Sequence, residues 1–172
     1  MDLETLKIDL KGLNEGLNSF EFDLDDAYFK AVDAPEVSEG AVHVSLDIVR
    51  TSDDFFTLEF REKGTVVVPC NLCLDPMEQP IETTERLEAK FGNEYSEDDD
   101  SVTVAENEGI LDVTWLIYEF IALAIPIRHV HAPGKCNSAM TRALEEHSAA
   151  RSGEGEEKPI DPRWAALLKL KE

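Results

Sequence analysis

Apolar and polar residues alternate along most of the first half of the chain, and this period of two predicts β-strands. In residues 41–49, every second side chain from Val42 to Ile48 is apolar, while His43 and Asp47 fall on the other face. Further strands are predicted over the following ranges: 6–13, 18–24, 55–62, 65–70 and 78–91. Lys63-Gly64 is typical of a turn between two of them, and residues 25–32 are typical of a short helix or turn.

The pattern changes in the second half. Residues 93–109 contain seven acidic residues and no basic one, which predicts a mobile surface loop or, alternatively, a docking strip for a basic partner. A helix is predicted over residues 112–125, with Asp112 as its N-cap and Pro126 at its end. It is apolar nearly all round, so it is either buried or a docking surface. A second helix is predicted over 138–150.

These elements predict an α+β fold. A β-rich N-terminal body of five to seven strands, forming an antiparallel sheet or a partly closed barrel, precedes two or three helices. We expect one domain over residues 1–150, a flexible linker over 151–161, which is rich in glycine and glutamate, and an amphipathic tail helix over 162–172.

The charge of the chain bears on its partners. The 172 residues include 37 acidic and 16 basic ones, for a formal net charge of −21. Such a surface repels a phosphate backbone, so nucleic-acid binding through phosphates is disfavoured and basic protein partners are favoured.

The first residues of the chain and its longest apolar run bear on where the protein is located. The first residues carry acids where a signal peptide would carry bases, and the longest apolar run, 115–127, is too short to cross a bilayer and contains Glu119. We therefore expect a cytoplasmic protein that does not bind membranes.

The cysteines offer the clearest candidate chemistry. Cys70 and Cys73 form a C-x2-C pair, and a Pro-Gly turn separates His131 from Cys136. Structural zinc takes four nitrogen or sulfur ligands in a tetrahedron, so these four residues are the candidate set, with His129 as the alternative fourth ligand. Reduced, metal-free cysteines are the competing interpretation. A redox pair is disfavoured because a strand, not a helix N-terminus, adjoins the motif.

The tail is the one locally basic apolar segment of an acidic chain. Such a helix behind a linker binds a partner or packs on its own body, and both remain open. The candidate partner-binding residues are Arg163, Trp164, Leu167, Leu168 and Lys169.

No catalytic residues are predicted. The sequence contains no GxGxxG, Walker, HExxH or GxSxG motif, and no serine or cysteine stands beside a recognisable base.

Four stretches in register resemble the YceD family of large ribosomal RNA subunit accumulation proteins. They are "VVVPCNLCLDP", the acidic segment followed by "LDVTWLIYEFIALAIPI", "HVHAPGKC", and the closing "DPRWAALLKL". The order and spacing agree over roughly residues 40–172. Family members often carry further cysteines in the third stretch, whereas Cys136 stands alone here and His131 would complete the set.

The resemblance implies a role in the accumulation or processing of large-subunit (23S) ribosomal RNA, with no established enzymatic activity. Because the chain is so acidic, we expect that role to be indirect, through a ribosomal protein or a large-subunit assembly factor. An RNA-processing enzyme and a general acidic protein-binding module are the alternatives.

Overall fold

The structure is a computed structural model that describes residues 3–34, 36–51, 54–98 and 100–147. The chain divides into two compact units, residues 1–137 and 138–172. The predicted linker (151–161) and tail helix (162–172) lie outside the described residues, and the predicted domain boundaries stay predictions.

The described residues form eight strands, three α-helices and one turn of 3-10 helix at Leu3–Leu6. The strands are β1 Lys7–Asp9, β2 Gly16–Leu24, β3 Glu39–Arg50, β4 Phe55–Pro69, β5 Pro76–Gly92, β6 Ser96–Asp98, β7 Ser101–Ala105 and β8 Ile110–Asp112. The helices are α1 Asp26–Val32, α2 Thr114–Ala124 and α3 Ser138–His147, of which α3 begins the second unit.

The first unit is built on an open six-stranded sheet in the order β2-β3-β4-β5-β7-β6. Its neighbouring strands are antiparallel except for β5 and β7, which run parallel. β1 and β8 form a separate antiparallel pair. The predicted β-rich α+β fold is therefore confirmed, with an open sheet in place of a partly closed barrel. In chain order, α1 connects β2 to β3.

The predicted turn at Lys63-Gly64 is wrong, because β4 continues through it for fifteen residues. Gly64 lies opposite Val42 of β3, and a Cβ atom on it would stand 2.2 Å from the carbonyl oxygen of Ala41. The glycine therefore allows two strands to approach closely and does not reverse the chain.

The predicted mobile loop at 93–109 is also wrong, because this segment contains β6 and β7. Val102 and Val104 are buried, and their strand pairs in parallel with the end of β5. The alternation Ser-Val-Thr-Val-Ala places both valines on the core face, and the acidic residues that the structure describes in this segment are exposed.

The core lies between one face of the sheet and helices α1 and α2. The apolar positions predicted on β3, β4 and β5 point into it and are buried, together with residues of both helices. They include Val42, Val44, Leu46, Ile48, Phe56, Leu58, Phe60, Ile81, Leu87, Ala89, Tyr28, Phe29, Ile117 and Ile121. Burying each large apolar side chain contributes about 1.5–3 kcal/mol, which makes this face the main source of stability.

Both helices begin beside an aspartate. The carboxylate of Asp25 accepts hydrogen bonds from the backbone N–H groups of Ala27 and Tyr28, at 3.1 and 3.3 Å, as an N-cap does. Asp112 accepts from the N–H of Thr114 at 2.9 Å, but the N-cap of α2 is Val113, so the predicted N-cap at Asp112 is wrong by one residue. The Tyr28 hydroxyl donates to the carbonyl of Thr114 at 2.8 Å and joins α1 to α2.

One ionisable side chain lies inside this core. Glu62 on β4 is 1% exposed, and neither of its carboxylate oxygens has a hydrogen-bond partner among the described residues. Burial, with a smaller contribution from Glu85, raises the pKa of Glu62 to about 8. The side chain is therefore largely protonated at neutral pH, because the neutral form costs less to bury.

Candidate metal centre

Cys70 and Cys73 lie on the tight loop that joins β4 to β5. Pro69 and Pro76 are paired at the base of this hairpin. The N–H of Cys70 donates to the carbonyl of Asp75, and the N–H of Leu74 donates to the carbonyl of Cys70, both at 2.9 Å. Leu74 adopts the left-handed conformation, with φ of 63°, which closes the turn and directs both cysteine side chains inward.

His131 and Cys136 lie on the loop that follows α2. The N–H of Lys135 donates to the carbonyl of Ala132 at 2.9 Å, and Gly134 has φ of 78°, so the predicted Pro-Gly turn is present. This turn folds His131 and Cys136 toward the hairpin loop.

The structure brings the four predicted residues together. Cys73 Sγ lies 3.3 Å from His131 Nδ1, Cys70 Sγ lies 3.9 Å from Cys136 Sγ, and Cys136 Sγ lies 4.0 Å from His131 Nδ1. All four candidate ligand atoms lie within 4.8 Å of one another. Zinc bonds of about 2.3 Å to sulfur and 2.0–2.1 Å to nitrogen give a tetrahedron with edges of roughly 3.5–3.8 Å. The cluster therefore has the donor set and nearly the dimensions of a structural zinc site.

The backbone already stabilises one negative charge in this cluster. Burial raises the pKa of the Cys70 thiol, but N–H groups of Cys73, Leu72 and His131 facing its sulfur outweigh burial and hold the pKa at about 5. Burial and the neighbouring sulfurs of Cys70 and Cys73 raise the pKa of Cys136 to about 11. A metal ion would supply the positive charge that allows several sulfurs to be thiolates at once.

His129, the alternative fourth ligand, is engaged elsewhere. Its Nδ1 faces the carbonyl of Pro126 at 2.8 Å and its Nε2 faces the carbonyl of Pro69 at 3.1 Å. Its backbone N–H donates to Asn71 Oδ1 at 2.7 Å, and the N–H of Asn71 donates to the His129 carbonyl at 2.9 Å. His129 and Asn71 therefore join the two loops, a role that sequence analysis missed because it depends on contacts between distant segments.

The remaining candidates are placed differently. The predicted partner-binding residues of the tail lie outside the described part of the chain. His43 is half-exposed on the polar face of β3, with its Nδ1 2.8 Å from Asp23. Within the described ranges, no helix combines the length and the apolar character needed to cross a bilayer, and the predicted cytoplasmic location stays a prediction.

Comparison with known proteins identifies the family. The family model described as "Large ribosomal RNA subunit accumulation protein YceD" matches residues 58–171, well over half of the chain. Neither the curated proteins nor the solved structures contain a significant match. The matched range includes all four residues of the Cys/His cluster. The chain therefore belongs to the YceD family of large ribosomal RNA subunit accumulation proteins.

Proposed function

We propose that this chain is a non-enzymatic ribosome-biogenesis factor that supports the accumulation or processing of 23S ribosomal RNA. The observation that carries the proposal is the family match over residues 58–171. We expect cells without the protein to accumulate precursors of 23S RNA and to recover when the gene is restored. Normal 23S processing in such cells would contradict the proposal.

The role is indirect, through a basic ribosomal protein or assembly factor. A net charge of −21 opposes contact with RNA phosphates and attracts a basic surface. We expect the protein to co-sediment with large-subunit precursors. Deleting residues 159–172, which contain the candidate partner-binding side chains, should weaken that association. Retention of the full association would assign the tail a purely structural role.

The non-enzymatic part of the proposal has its own test. Purified protein is incubated with precursor 23S RNA and magnesium, and the RNA ends are mapped. We expect no cleavage above that of a mock purification. Turnover that copurifies with the protein would replace the proposal with an RNA-processing enzyme.

The Cys/His cluster is proposed to hold one structural zinc ion. Cys70, Cys73, His131 and Cys136 would be its ligands, and the ion would fasten the β4–β5 hairpin loop to the loop after α2. When bound, zinc supplies a closed tetrahedral cross-link. The support is the three-sulfur, one-nitrogen donor set and the distances of 3.3–4.0 Å between neighbouring ligand atoms.

Metal analysis of untagged protein tests this centre. We expect one zinc per chain, lost in the Cys136→Ser variant and retained in Lys135→Ser, which changes an exposed neighbour. Three titratable thiols in protein that contains no zinc would identify the cluster as ordinary packing.

A further inference from the structure

A groove lies between α2 and the β6–β7 hairpin, away from the metal centre. It encloses about 890 Å³, within the size range of ligand-binding clefts. Its apolar lining comes from the sheet residues Leu87 and Val102 and from Leu116, Phe120 and Leu123 of α2. The three helix residues are spaced i, i+4 and i+7, so they form one stripe along α2, and Leu123 is 79% exposed. Leu116 is buried in the core and Phe120 is partly buried against it, so the stripe is open to solvent mainly at Leu123.

The polar lining of the groove is acidic. Glu97, Asp98, Asp100 and Glu119 line it, and the described lining residues include no lysine, arginine or histidine. Glu97 accepts from the Tyr95 hydroxyl, and Glu119 accepts from Trp115 Nε1 at 2.7 Å. The structure shows no ion pair for any of the four within the described ranges.

Two of these carboxylates are available for a partner. In the described part of the chain, the side chains of Asp98 and Asp100 take part in no hydrogen bond or ion pair. Glu97 lies directly opposite Val102, so its side chain shares the face of the sheet that borders the groove. The groove therefore joins an apolar stripe that is open at Leu123 to unpaired negative charge.

From this arrangement we infer that the groove binds a lysine- or arginine-rich amphipathic helix of another protein. A second helix would pack against the open part of this stripe, at Leu123 and the accessible part of Phe120. The partner's apolar residues would cover these side chains while its cations meet the carboxylates. This inference rests on the proposed function and names the chemistry of the basic partner.

Charge also distinguishes the possible occupants. RNA is disfavoured because its phosphates would meet unpaired carboxylates. A second copy of the chain is disfavoured because each copy carries a net charge of −21. A basic helix gains both from burial of the stripe and from neutralisation of the acids.

The probe for the test is a labelled synthetic helix of about 18 residues, with leucines on one face and lysines on the other. A peptide of the same composition in scrambled order is its control. Binding to the full-length protein is measured by fluorescence anisotropy. We expect the amphipathic peptide to bind and the scrambled one to bind at least about tenfold more weakly. Equal binding of the two, or no binding of the amphipathic peptide, would overturn the inference.

Two matched variants locate the binding surface. The groove variant carries Glu97→Lys, Asp98→Lys and Asp100→Lys, and the control carries Glu15→Lys, Glu21→Lys and Glu78→Lys at exposed positions outside the groove lining. Both have the same net charge. We expect binding to weaken at least about tenfold in the groove variant and less than about threefold in the control. An equal loss in both would mean that only total charge matters and would overturn the inference.

A third variant keeps the test informative if the groove variant does not fold. Leu123→Lys changes one side chain that is 79% exposed, and we expect it to weaken peptide binding. An unchanged affinity would show that the stripe is not the binding surface. A dimer that Leu123→Lys dissociates in sedimentation experiments would assign the groove to a second copy. Tighter peptide binding after replacing Arg163, Lys169 and Lys171 with alanine would assign it to the chain's own tail, and either result would overturn the inference.

Co-sedimentation separates this inference from the proposed function. If the wild-type protein co-sediments with large-subunit precursors but does not bind the peptide, the groove inference fails and the proposed function stands. If the peptide binds as expected but the wild-type protein never associates with precursors and its loss leaves 23S RNA normal, the proposed function fails and the groove remains a binding surface for a basic helix.

Discussion

The two ends of β5 differ in how their polar groups are satisfied. Next to Pro76, where the strand begins, sulfur, imidazole and amide groups face one another across two loops, and Cys73 Sγ lies 3.3 Å from His131 Nδ1. Toward its other end, level with Glu88, Asp98 and Asp100 stand unpaired among the described residues and line a groove with the exposed Leu123. We infer from this difference that the first end serves to stabilise the fold, because its polar groups face one another, whereas the second leaves groups that a partner would satisfy.

Removing the metal should have the largest effect on stability. We expect it to loosen only the closed end of β5, which is the end next to Pro76 where the Cys/His cluster lies. We expect EDTA to lower the free energy of unfolding of the zinc-loaded protein by about 4 kcal/mol or more, because the ion binds only the folded state. Urea unfolding measures this loss. Hydrogen exchange should rise in residues 70–75 and 128–136 and stay unchanged in β7. An equal rise in hydrogen exchange in these loops and in β7 would contradict the difference between the two ends of β5.

The buried carboxylate between the two ends should give the next largest effect. Glu62 lies opposite Thr83 in the middle of the β4–β5 pair. Its ordinary pKa of 4.5 is raised to about 8, so the unfolded chain releases this proton at lower pH than the folded one. Its contribution therefore favours folding most at low pH, and is lost progressively as the pH rises from about 4.5 to about 8.

The Glu62→Gln variant should lack this pH dependence and exceed the wild type in stability at pH 8 by about 4 kcal/mol. Unfolding in urea across pH 5–9, roughly the range in which the carboxyl titrates, measures it. Glu88→Gln, an exposed glutamate on β5, is the control and should follow the wild type. A parallel pH profile for wild type and Glu62→Gln would show that the carboxyl titrates normally.

Removing the Asn71 side chain should loosen the closed end without abolishing it. Asn71→Ala deletes the acceptor of the His129 N–H, a bond of 2.7 Å between the two ligand-bearing loops. We expect a loss of about 1 kcal/mol in stability and about tenfold in zinc affinity. Thermal unfolding and competition with a metal indicator measure these. Asn107→Ala, at the opposite end of β5, should change neither, and equal losses in the two variants would remove the distinction.

Changes in the groove should have the smallest effect on stability. Leu123→Lys alters a side chain that is 79% exposed, so we expect the free energy of unfolding to stay within about 0.5 kcal/mol of the wild type. Thermal unfolding measures this. A loss as large as that caused by metal removal would mean that the groove stabilises the fold and is not an open surface.

Alternation in the sequence predicted the strands of the sheet well. On a strand, each position that faces the core takes an apolar side chain, and this signal is local. Val42 to Ile48 on β3 and Phe56 to Phe60 on β4 point into the core as expected. The two errors have one cause. Gly64 resembled a turn and residues 93–109 resembled a loop, but a close approach of β3 and a parallel pairing with β5 decide their structure. Local composition does not contain such long-range contacts.

The metal-site candidates were predictable because C-x2-C spacing and a Pro-Gly turn are local signals. The sequence did not decide between His131 and His129 as the candidate fourth ligand, because both belong to the same short loop. Their surroundings separate them, with His131 facing Cys73 and His129 facing backbone carbonyls. The groove was not predictable either, because it exists only where α2 and the β6–β7 hairpin meet.

The close pairing of β3 with β4 has a consequence for truncated fragments of this protein. The family match begins at residue 58, inside β4, whereas β3 pairs with β4 from Arg50–Phe56 to Glu39–Val67. A fragment cut at residue 58 would expose almost a full strand edge of backbone N–H and C=O groups and one side of the core. Such an edge recruits strands from other chains, so the fragment should aggregate. The boundary of sequence similarity is therefore not a boundary at which the protein can be divided.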